Sequence, residues 1–407
     1  MVTVKQENRE VPTGFKMSKY GVIPNDWKVV KVQDVFKKIK KPVDVIREDR
    51  YKQIGIRSHG KGIFYKEEVT GEELGNKSVF WIEPNCFIVN IVFAWELAVA
   101  KTTDNELGYI ASHRFPMYKP IENRVDLDFI TYLFKSPRGK NLLNLASPGG
   151  AGRNKTLGQK EFGELDILIP ESVKEQKKIA DILLTWDEAI KLKKDLIEQK
   201  REQKKGLMQR LMTGEVRMPG FEETWKEVTL GDIATIIMGQ SPSSDSYNES
   251  QEGLPLIQGN ADCSNRKTSP RMWTSQPTKK CEVGDIIMSV RAPVGHISRS
   301  VHNACIGRGV CAIRGEINQD FLYYYLIFKE DWWVRISQGS TFDSVNSKDI
   351  NELEMKIPSD KEQRAIANVL KVFDKEIYLL EKELAELNQQ KKGLMQLLLT
   401  GKVRVKV

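Results

Sequence analysis

The sequence predicts an α/β (α+β) protein built from two pseudo-symmetric globular domains and two long helices that pair as an antiparallel coiled coil. Three observations predict this fold: an internal repeat, a heptad pattern within each copy of the repeat, and strand-like segments that precede each heptad pattern. A chain of 407 residues is long enough for two or three domains.

The repeat occupies residues 174–217 and 361–404, which align without a gap at an offset of 187 positions. About half of the aligned residues are identical, and both copies contain the string KKGLMQ. Looser matches precede each copy, such as WKVVKVQDV at 27–35 and WKEVTLGDI at 225–233. The chain therefore reads as one unit present twice. The predicted boundaries are a first globular domain at 1–170, a first long helix at 171–217, a second globular domain at 218–358 and a second long helix at 359–407.

Each heptad segment is long enough for a helix of about 60 Å, because an α-helix rises about 1.5 Å per residue. Apolar residues recur at steps of three and four, which is the pattern of a coiled-coil seam. Each helix needs a partner for this stripe, and pseudo-twofold symmetry makes the other copy an antiparallel partner. The predicted seam residues are Ile179, Leu183, Trp186, Ile190, Ile197, Leu207 and Leu211 in the first copy, and Ile366, Leu370, Phe373, Ile377, Leu380, Leu384, Leu387, Leu394 and Leu398 in the second.

Two details of the helices depart from a simple apolar seam. Lys193, Lys200 and Lys204 fall on seam positions of the first copy. Gly206 and Gly393 stand inside the KKGLMQ strings, where each glycine costs about 1 kcal/mol relative to alanine. We expect these glycines to mark a close helix crossing or a kink.

The globular parts are rich in β-branched and aromatic residues, in segments such as VFWIEP, VGDIIMSV and GVCAIR. The apolar run at 87–100 is interpreted as buried strands, since it is too short to span a bilayer and contains Asn90 and Glu96. The N-terminal residues MVTVKQENRE lack the apolar core of a signal peptide. The chain is therefore expected to be cytoplasmic.

The net charge of +8 is a weak indication of nucleic-acid binding, but the distribution of charge is more informative. Residues 266–314 contain nine Lys or Arg residues and only two acidic residues. Such a concentrated basic region indicates a docking surface. The five cysteines form no CxxC pair and match no zinc pattern, so no metal site is expected.

Motifs for catalysis are missing from the sequence. It contains no Pro-Pro dipeptide, so the Asn/Asp-Pro-Pro-aromatic signature of DNA amino-methyltransferases is absent, as is GxGxxG. The string GGAGRNKT at 149–156 is not a P-loop, because Asn154 stands where a glycine is required. It is interpreted as a flexible basic loop, with SQGSTFDSVNSK at 337–348 as its counterpart. The chain by itself is not expected to be an enzyme.

The repeated strings resemble those of the specificity (S) subunit of type I restriction–modification enzymes. The similarity lies in the helix starts IPESVKEQKKIADIL and IPSDKEQRAIANVL and the helix ends KKGLMQ-x-L-[ML]-TG-x-VR. It extends to the domain openings W-K-x-V-x-[VL]-x-D-[VI] and the Gly-rich loop, and it covers essentially the whole chain.

This resemblance implies a non-catalytic DNA sequence-specificity subunit. Each globular domain would be a target-recognition domain that reads one half of a bipartite, asymmetric site in double-stranded DNA. The helices would set the spacing between the half-sites and dock two methyltransferase (modification) subunits, and restriction subunits would join that core. No cofactor is expected in this chain, because S-adenosylmethionine, ATP and Mg would be bound by the partner subunits.

Candidate DNA-contacting residues are polar or basic side chains in loops and strand ends, since base edges are read by such groups and phosphates by Lys and Arg. In the first domain they are Arg57, Ser58, His59, Lys61, Ser112, His113, Arg114, Arg153, Asn154 and Lys155. In the second domain they are Gln258, Asn260, Arg266, Lys267, Arg271, Arg291, His296, Arg299, Ser340, Thr341 and Ser344. Arg291 and His296 flank a Pro-Val-Gly turn that could enter a groove of DNA.

Two other interpretations remain open at this point. The chain could be a scaffold whose helices only assemble partners, or an enzyme that combines recognition with methylation or cleavage. The basic region and the paired loops argue against the first, and the missing methyltransferase motifs argue against the second. The candidate loop residues could also be ordinary solvated residues.

Overall fold

The computed structural model describes residues 11–149, 155–338 and 344–406, apart from the side chains of 336–338. The chain divides into two compact units. Unit 1 comprises Met1–Leu192 and Glu383–Val407, and unit 2 comprises Lys193–Lys382. Each unit thus contains one globular domain together with a part of both long helices.

In the described residues, the globular domain of unit 1 is built mainly from short strands, with short α-helices between them. Its strands are β1 (Phe15–Ser18), β2 (Gly21–Pro24), β3 (Trp27–Lys31), β4 (Phe36–Ile39), β5 (Arg50–Arg57), β6 (Gly62–Tyr65), β7 (Val69–Thr70), β8 (Val79–Trp81), β9 (Phe87–Val89), β10 (Val99–Lys101), β11 (Tyr109–Ser112), β12 (Met117–Pro120) and β13 (Asp166–Pro170). Its helices are α1 (Val32–Val35), α2 (Gly71–Leu74), α3 (Leu127–Lys135), α4 (Pro137–Leu145) and α5 (Gln159–Glu164).

Two larger sheets organise this domain. One has the strand order β10-β9-β12-β4, and the other has the order β6-β5-β11-β8 with β7 also paired to β5. The second sheet is mixed, because β11 runs parallel to β5 and antiparallel to β8. A separate antiparallel pair is formed by β3 and by β13, the strand that leads into the first long helix.

The globular domain of unit 2 repeats this plan with different lengths. Its strands are β14 (Lys226–Thr229), β15 (Ala234–Met238), β16 (Tyr247–Asn248), β17 (Leu254–Ile257), β18 (Cys263–Ser264), β19 (Lys267–Thr268), β20 (Met272–Thr274), β21 (Lys280–Cys281), β22 (Ile286–Ser289), β23 (Ile297–Arg299), β24 (Ala304–Ile306), β25 (Val310–Gly315) and β26 (Glu354–Ile357). The first long helix α6 (Val173–Met212) precedes them, and the helices that follow are α7 (Leu230–Ile233), α8 (Gln319–Phe328), α9 (Glu330–Gln338), α10 (Ser347–Asn351) and the second long helix α11 (Asp360–Leu398).

The strands of unit 2 also form two larger sheets, in the orders β15-β25-β22-β23-β19-β18 and β16-β20-β17-β24-β21. The pair β14-β26 is the counterpart of β13-β3. Strands and helices are therefore mixed in both domains, and the predicted α/β (α+β) class with two pseudo-symmetric domains is confirmed.

The long helices are part of the hydrophobic cores at their ends. Ile179 and Leu183 of α6 and Leu398 of α11 are buried in the core of unit 1. Leu211 of α6 and Ile366 of α11 are buried in the core of unit 2. All the predicted seam residues are buried or half-buried. The seam thus joins the helices to the domains as well as to each other.

Ion pairs also link the two long helices within each unit. In unit 2, Lys200 Nζ lies 2.8 Å from Glu376 Oε1, and Arg201 Nη2 lies 2.6 Å from Glu381 Oε1. In unit 1, Lys391 pairs with an aspartate of α6. Residue numbers rise along α6 as they fall along α11, so the two helices pair in the antiparallel sense that was predicted.

The repeated Glu-Gln at the start of each long helix has a definite structural role in unit 1. The side chain of Glu175 is 3% exposed and accepts two hydrogen bonds from Arg404, at 2.9 and 3.0 Å. Trp27 Nε1 donates to the same carboxylate at 3.4 Å, and Arg404 also bonds Asp26. Gln176 accepts a hydrogen bond from a backbone N–H of the domain.

Unit 2 carries the same arrangement. Glu362, whose side chain is fully buried, accepts hydrogen bonds from Arg217 Nε and Nη2 at 2.8 and 2.7 Å and from Trp225 Nε1 at 3.3 Å. We call the set Trp27–Glu175–Arg404 and the set Trp225–Glu362–Arg217 the arginine clasps. A buried carboxylate needs such partners, which explains why each repeat contains both the Glu-Gln string and the closing Val-Arg.

The expectation that the two helical glycines mark a close helix crossing is wrong. Both α6 and α11 are continuous helices, and a Cβ atom added at Gly206 or Gly393 would meet no atom within 4 Å. Both glycines are exposed, so neither lies at a close contact between the described helices.

Candidate nucleic-acid interface

A turn that the sequence did not predict organises the polar loops of the first domain. Residues 87–100 were interpreted as buried strands, but β9 ends at Val89. The Asn90 side chain accepts a hydrogen bond from Val92 N at 3.1 Å, which bends the chain as Asn does in turns. A short 3-10 helix, Ala94–Glu96, follows. We call residues 90–97 the first hub turn.

The predicted turn after β5 contacts this hub. His59 N donates to Glu96 O at 2.6 Å, Gly60 N to Leu97 O at 2.9 Å, and Ser58 Oγ to the Glu96 carboxylate at 2.8 Å. His59 and Gly60 both have positive φ, so the hairpin turns tightly and leaves the His59 side chain exposed.

Two further candidate segments reach the same hub. Ile91 N donates to Arg114 O at 3.0 Å, and Leu157 N donates to Ile91 O at 2.8 Å. Lys155 Nζ lies 5.9 Å from the centre of the Trp95 ring and donates to Asn144 Oδ1. Three segments that are far apart in sequence therefore converge on one turn.

Other candidates of the first domain lie around this convergence. The Arg57 guanidinium stacks over the Phe64 ring at 5.3 Å, and Lys61 is exposed. Ser112 is half-buried at the end of β11 and accepts a hydrogen bond from Arg114 N. His113 is exposed and lines a small cavity with Lys38 and other residues of the domain.

The second domain has an equivalent hub. Val345 N donates to Val290 O at 3.1 Å, as Leu157 N does to Ile91 O in the first domain. Arg291 is exposed and forms a β-bridge with Ser344, so the predicted Pro-Val-Gly turn and the loop before α10 meet. We call residues 290–296 the second hub turn.

One side of the second hub approaches the segment that contains Gln258. Val290 N donates to Gly309 O at 2.9 Å, and a Cβ at Gly309 would lie 2.1 Å from Gln258 O. Only glycine fits this approach. Gln258 and Arg308 are both exposed beside the hub.

His296 lies at the other end of the second hub turn and is half-buried. Burial lowers the pKa of its imidazole. Its backbone N–H donates to Ser289 Oγ at 3.0 Å. The neutral form is therefore favoured, which suits a hydrogen-bonding group more than a phosphate-binding cation.

Three candidate arginines of the second domain have acidic partners within it. Arg266 donates to both carboxylate oxygens of Glu330, at 2.6 and 2.9 Å. The ion pair between Arg299 and Asp320 measures 2.8 Å, and Arg271 donates to an aspartate at 2.9 Å. These contacts give the arginines a structural role, and DNA contact by their side chains stays a prediction.

The remaining candidate residues make no contact described above with either hub turn. Lys267 is exposed on β19, and Asn260 is half-buried in a short 3-10 helix beside it. Arg153, Asn154, Ser340 and Thr341 lie outside the described residues. Within the described ranges, no group of three or more His, Cys, Asp or Glu side chains could hold a metal ion.

Two residues near the hubs were not predicted as site residues from the sequence. Trp95 is half-buried under Lys155, and it was hidden within an apolar run that looked like a strand. Arg308 was not among the predicted DNA-contacting residues, but it is exposed, and its backbone N–H donates to Ser241 Oγ. Its position between two glycines, in the string GRG, was a usable signal for a loop.

The geometry defines a class of protein with two α/β domains, each with an equivalent cluster of polar loops, and with a pair of long helices. In the described part of the chain, no helix is long and apolar enough to cross a membrane.

Comparisons with known proteins agree with this class. The model of the type I restriction modification DNA specificity domain matches residues 24–200 and 222–389. A protein of Methanocaldococcus jannaschii described as a type I restriction enzyme MjaX specificity subunit is 30% identical, over 99% of this chain and 98% of its own length. The MjaVIII specificity subunit of the same organism is 26% identical, over 99% of this chain and 97% of its own length.

Solved structures show the same fold. A chain from a study of complex assembly and conformational transition of a type I R-M system is 24% identical with a TM-score of 0.68, covering 94% of this chain and 99% of that chain. The HsdS subunit of Thermoanaerobacter tengcongensis is 24% identical with a TM-score of 0.52, covering 94% and 98%. The chain belongs to the type I restriction–modification DNA-specificity family, as its repeated motifs predicted, and it is a non-catalytic sequence-specificity subunit.

Proposed function

We propose that each globular domain reads one half of a bipartite, asymmetric DNA site through its hub turn and the loops around it. The observation that carries this proposal is the convergence of separately predicted polar segments on equivalent hubs in the two domains. The backbone contacts are equivalent, but the side chains differ, with His59 and Lys155 at one hub and Arg291 and Gln258 at the other. Different side chains would select different base edges.

We further propose that α6 and α11 fix the gap between the half-sites and dock two methyltransferase subunits, which restriction subunits then join. The pseudo-equivalent Leu192 and Leu379 are 61% and 47% exposed on the two helices, which supports one docking surface present twice. In this proposal the chain performs no chemistry and acts in the cytoplasm, and the partner subunits bind S-adenosylmethionine, ATP and Mg.

Modified-base sequencing tests the proposal directly. DNA is sequenced from cells that carry the chain with its proposed methyltransferase partner, and from control cells that carry the methyltransferase alone. The expected result is N6-methyladenine in one bipartite motif, present only when the chain is present. Methylation that does not change when the chain is deleted would remove the recognition role and favour a scaffold.

A substitution at the second hub locates the recognition surface. Arg291→Ala is expected to relax or weaken selection in one half-site by about 5- to 150-fold, which corresponds to the loss of one base contact, and to leave the other half-site unchanged. Arg364→Ala is the control, because Arg364 is an exposed helical arginine paired with Asp360. Equal weakening on every sequence would instead identify Arg291 as a phosphate contact.

A further inference from the structure

The helices α3 and α8 each carry a buried tyrosine that contacts both long helices. In unit 1, Tyr132 OH donates to Asp187 Oδ2 of α6 at 2.6 Å. Lys391 of α11 lies 2.5 Å from the other oxygen of Asp187 and 5.2 Å from the centre of the Tyr132 ring. Each of the three groups therefore contacts the other two.

Unit 2 repeats this arrangement with the roles of the long helices exchanged. Tyr324 OH donates to Asp374 Oδ2 of α11 at 2.6 Å, and Lys204 of α6 lies 2.5 Å from Asp374 Oδ1 and 5.2 Å from the Tyr324 ring centre. We call the sets Tyr132–Asp187–Lys391 and Tyr324–Asp374–Lys204 the carboxylate clamps.

The aspartates of the clamps are 50% and 46% exposed, but their partners are less exposed, unlike an ordinary surface ion pair, which contributes little. Tyr132 and Tyr324 are 6% and 3% exposed, and the lysine side chains are 15% and 16% exposed. A hydroxyl that donates to a carboxylate makes a short and directional bond. Each tyrosine lies on a helix that packs in the core of its domain. The position of its hydroxyl is therefore set by the position of that domain.

The geometry of the clamps is the same in the two halves of the chain although their surroundings differ. The domains differ in sequence, and the tyrosines are 192 positions apart whereas the long helices repeat at 187. The neighbouring ion pairs differ as well, with Lys101–Asp128 in one domain and Arg299–Asp320 in the other. The distances within the clamps are nevertheless the same in both units.

We propose that the carboxylate clamps are positioning devices that hold each recognition domain at a fixed angle on the long helices and thereby sharpen the choice of spacer length. This inference rests on the proposed function. Adding one base pair between half-sites displaces them by about 3.4 Å and rotates them by about 35°. A domain that is free to tilt would tolerate neighbouring spacers better than a domain that is clamped.

The test uses the chain in complex with its methyltransferase subunits and a DNA library with the two half-sites separated by the native spacer and by one base pair more or less. Wild-type protein is expected to methylate the native spacer preferentially. Tyr324→Phe removes only the hydroxyl and is expected to raise the ratio of neighbouring to native spacers at least about threefold. Lys204→Met is expected to shift the ratio in the same direction.

Tyr323→Phe is the matched control. It makes the same chemical change on the same helix, but the Tyr323 ring lies under the Arg299 guanidinium at 4.5 Å and its hydroxyl makes none of the clamp contacts. It is expected to keep the wild-type spacer profile. The double variant Tyr132→Phe/Tyr324→Phe is expected to show the product of the two single effects, since the clamps lie in separate units.

The outcomes separate this inference from the proposed function. An unchanged spacer profile in folded Tyr324→Phe overturns the positioning role, and so does an equal loss of methylation at all spacers. Failure of the wild-type complex to methylate any bipartite motif would refute the proposed function and this inference with it.

Discussion

Breaking the arginine clasp of unit 1 should destabilise the first recognition domain. The perturbation is Arg404→Met, which keeps an unbranched apolar stem and removes the guanidinium. The Glu175 carboxylate, 3% exposed, would then have only the 3.4 Å contact from Trp27 among the clasp partners. Removing one partner of a buried pair costs about 3–5 kcal/mol because a charge is left uncompensated.

The size of the expected loss in unfolding free energy depends on how exposed Arg404 is. Because the Arg404 side chain is 35% exposed, water screens part of the interaction, and we expect a loss of about 2–4 kcal/mol. For a unit of roughly 200 residues, this loss lowers the Tm by about 4–16 °C.

Calorimetry and hydrogen exchange together provide the assay. Calorimetry gives the lower Tm, and hydrogen exchange should show lost protection in β3 and β13, which pair beside Glu175, with unchanged protection in β14 and β26. Lys402→Met is the control, because Lys402 is an exposed cation two residues away. Adding Glu175→Gln to Arg404→Met should recover part of the loss. If Arg404→Met were as stable as Lys402→Met, the reasoning about the buried carboxylate would be refuted.

Three further predictions concern the helices. Gly206→Ala and Gly393→Ala should each raise stability by about 1 kcal/mol, since neither position is crowded, and denaturant unfolding that gives no gain would show that the glycines are needed in the folded helix. Burial, with the hydrogen bond to an aspartate, raises the pKa of Tyr324, so its contribution is complete below about pH 10 and is lost as the pH rises further. Urea unfolding between about pH 8 and 11 should therefore show a shallower decline in Tyr324→Phe than in wild type, whereas equal slopes would contradict the assignment. Leu192→Glu and Leu379→Glu should each weaken capture of one methyltransferase subunit in a pull-down, and full retention of both subunits would exclude this docking surface.

The helical scaffold could be predicted from sequence because its signal is local. The seam positions repeat every seven residues over forty positions, and the two copies supported each other. The Glu-Gln and Val-Arg strings were noticed only as repeated motifs, because the partners Glu175 and Arg404 are 229 positions apart. That these strings pair with each other in the arginine clasps became clear only from the folded structure.

The candidate DNA-contacting surface was predictable only in part. Polar residues such as those at 57–61 were found, since polar and basic residues after a strand-like segment indicate a loop. The first hub turn was not found, because its residues are as apolar as the strands on either side. The partners of Arg266 and Arg299 lie on α8 and α9, so no local pattern separated structural arginines from free ones.

The arginine clasp of unit 1 has a consequence for how the protein is made. Unit 2 is a continuous stretch of chain, Lys193–Lys382, whereas unit 1 needs Arg404 to pair with Glu175. The globular domain that leaves the ribosome first is therefore the last to be completed. Glu175 has no Arg404 to pair with until more than two hundred further residues have been translated. A premature stop between Lys382 and Arg404 would therefore retain all of unit 2 and remove part of unit 1, including the partner of Glu175.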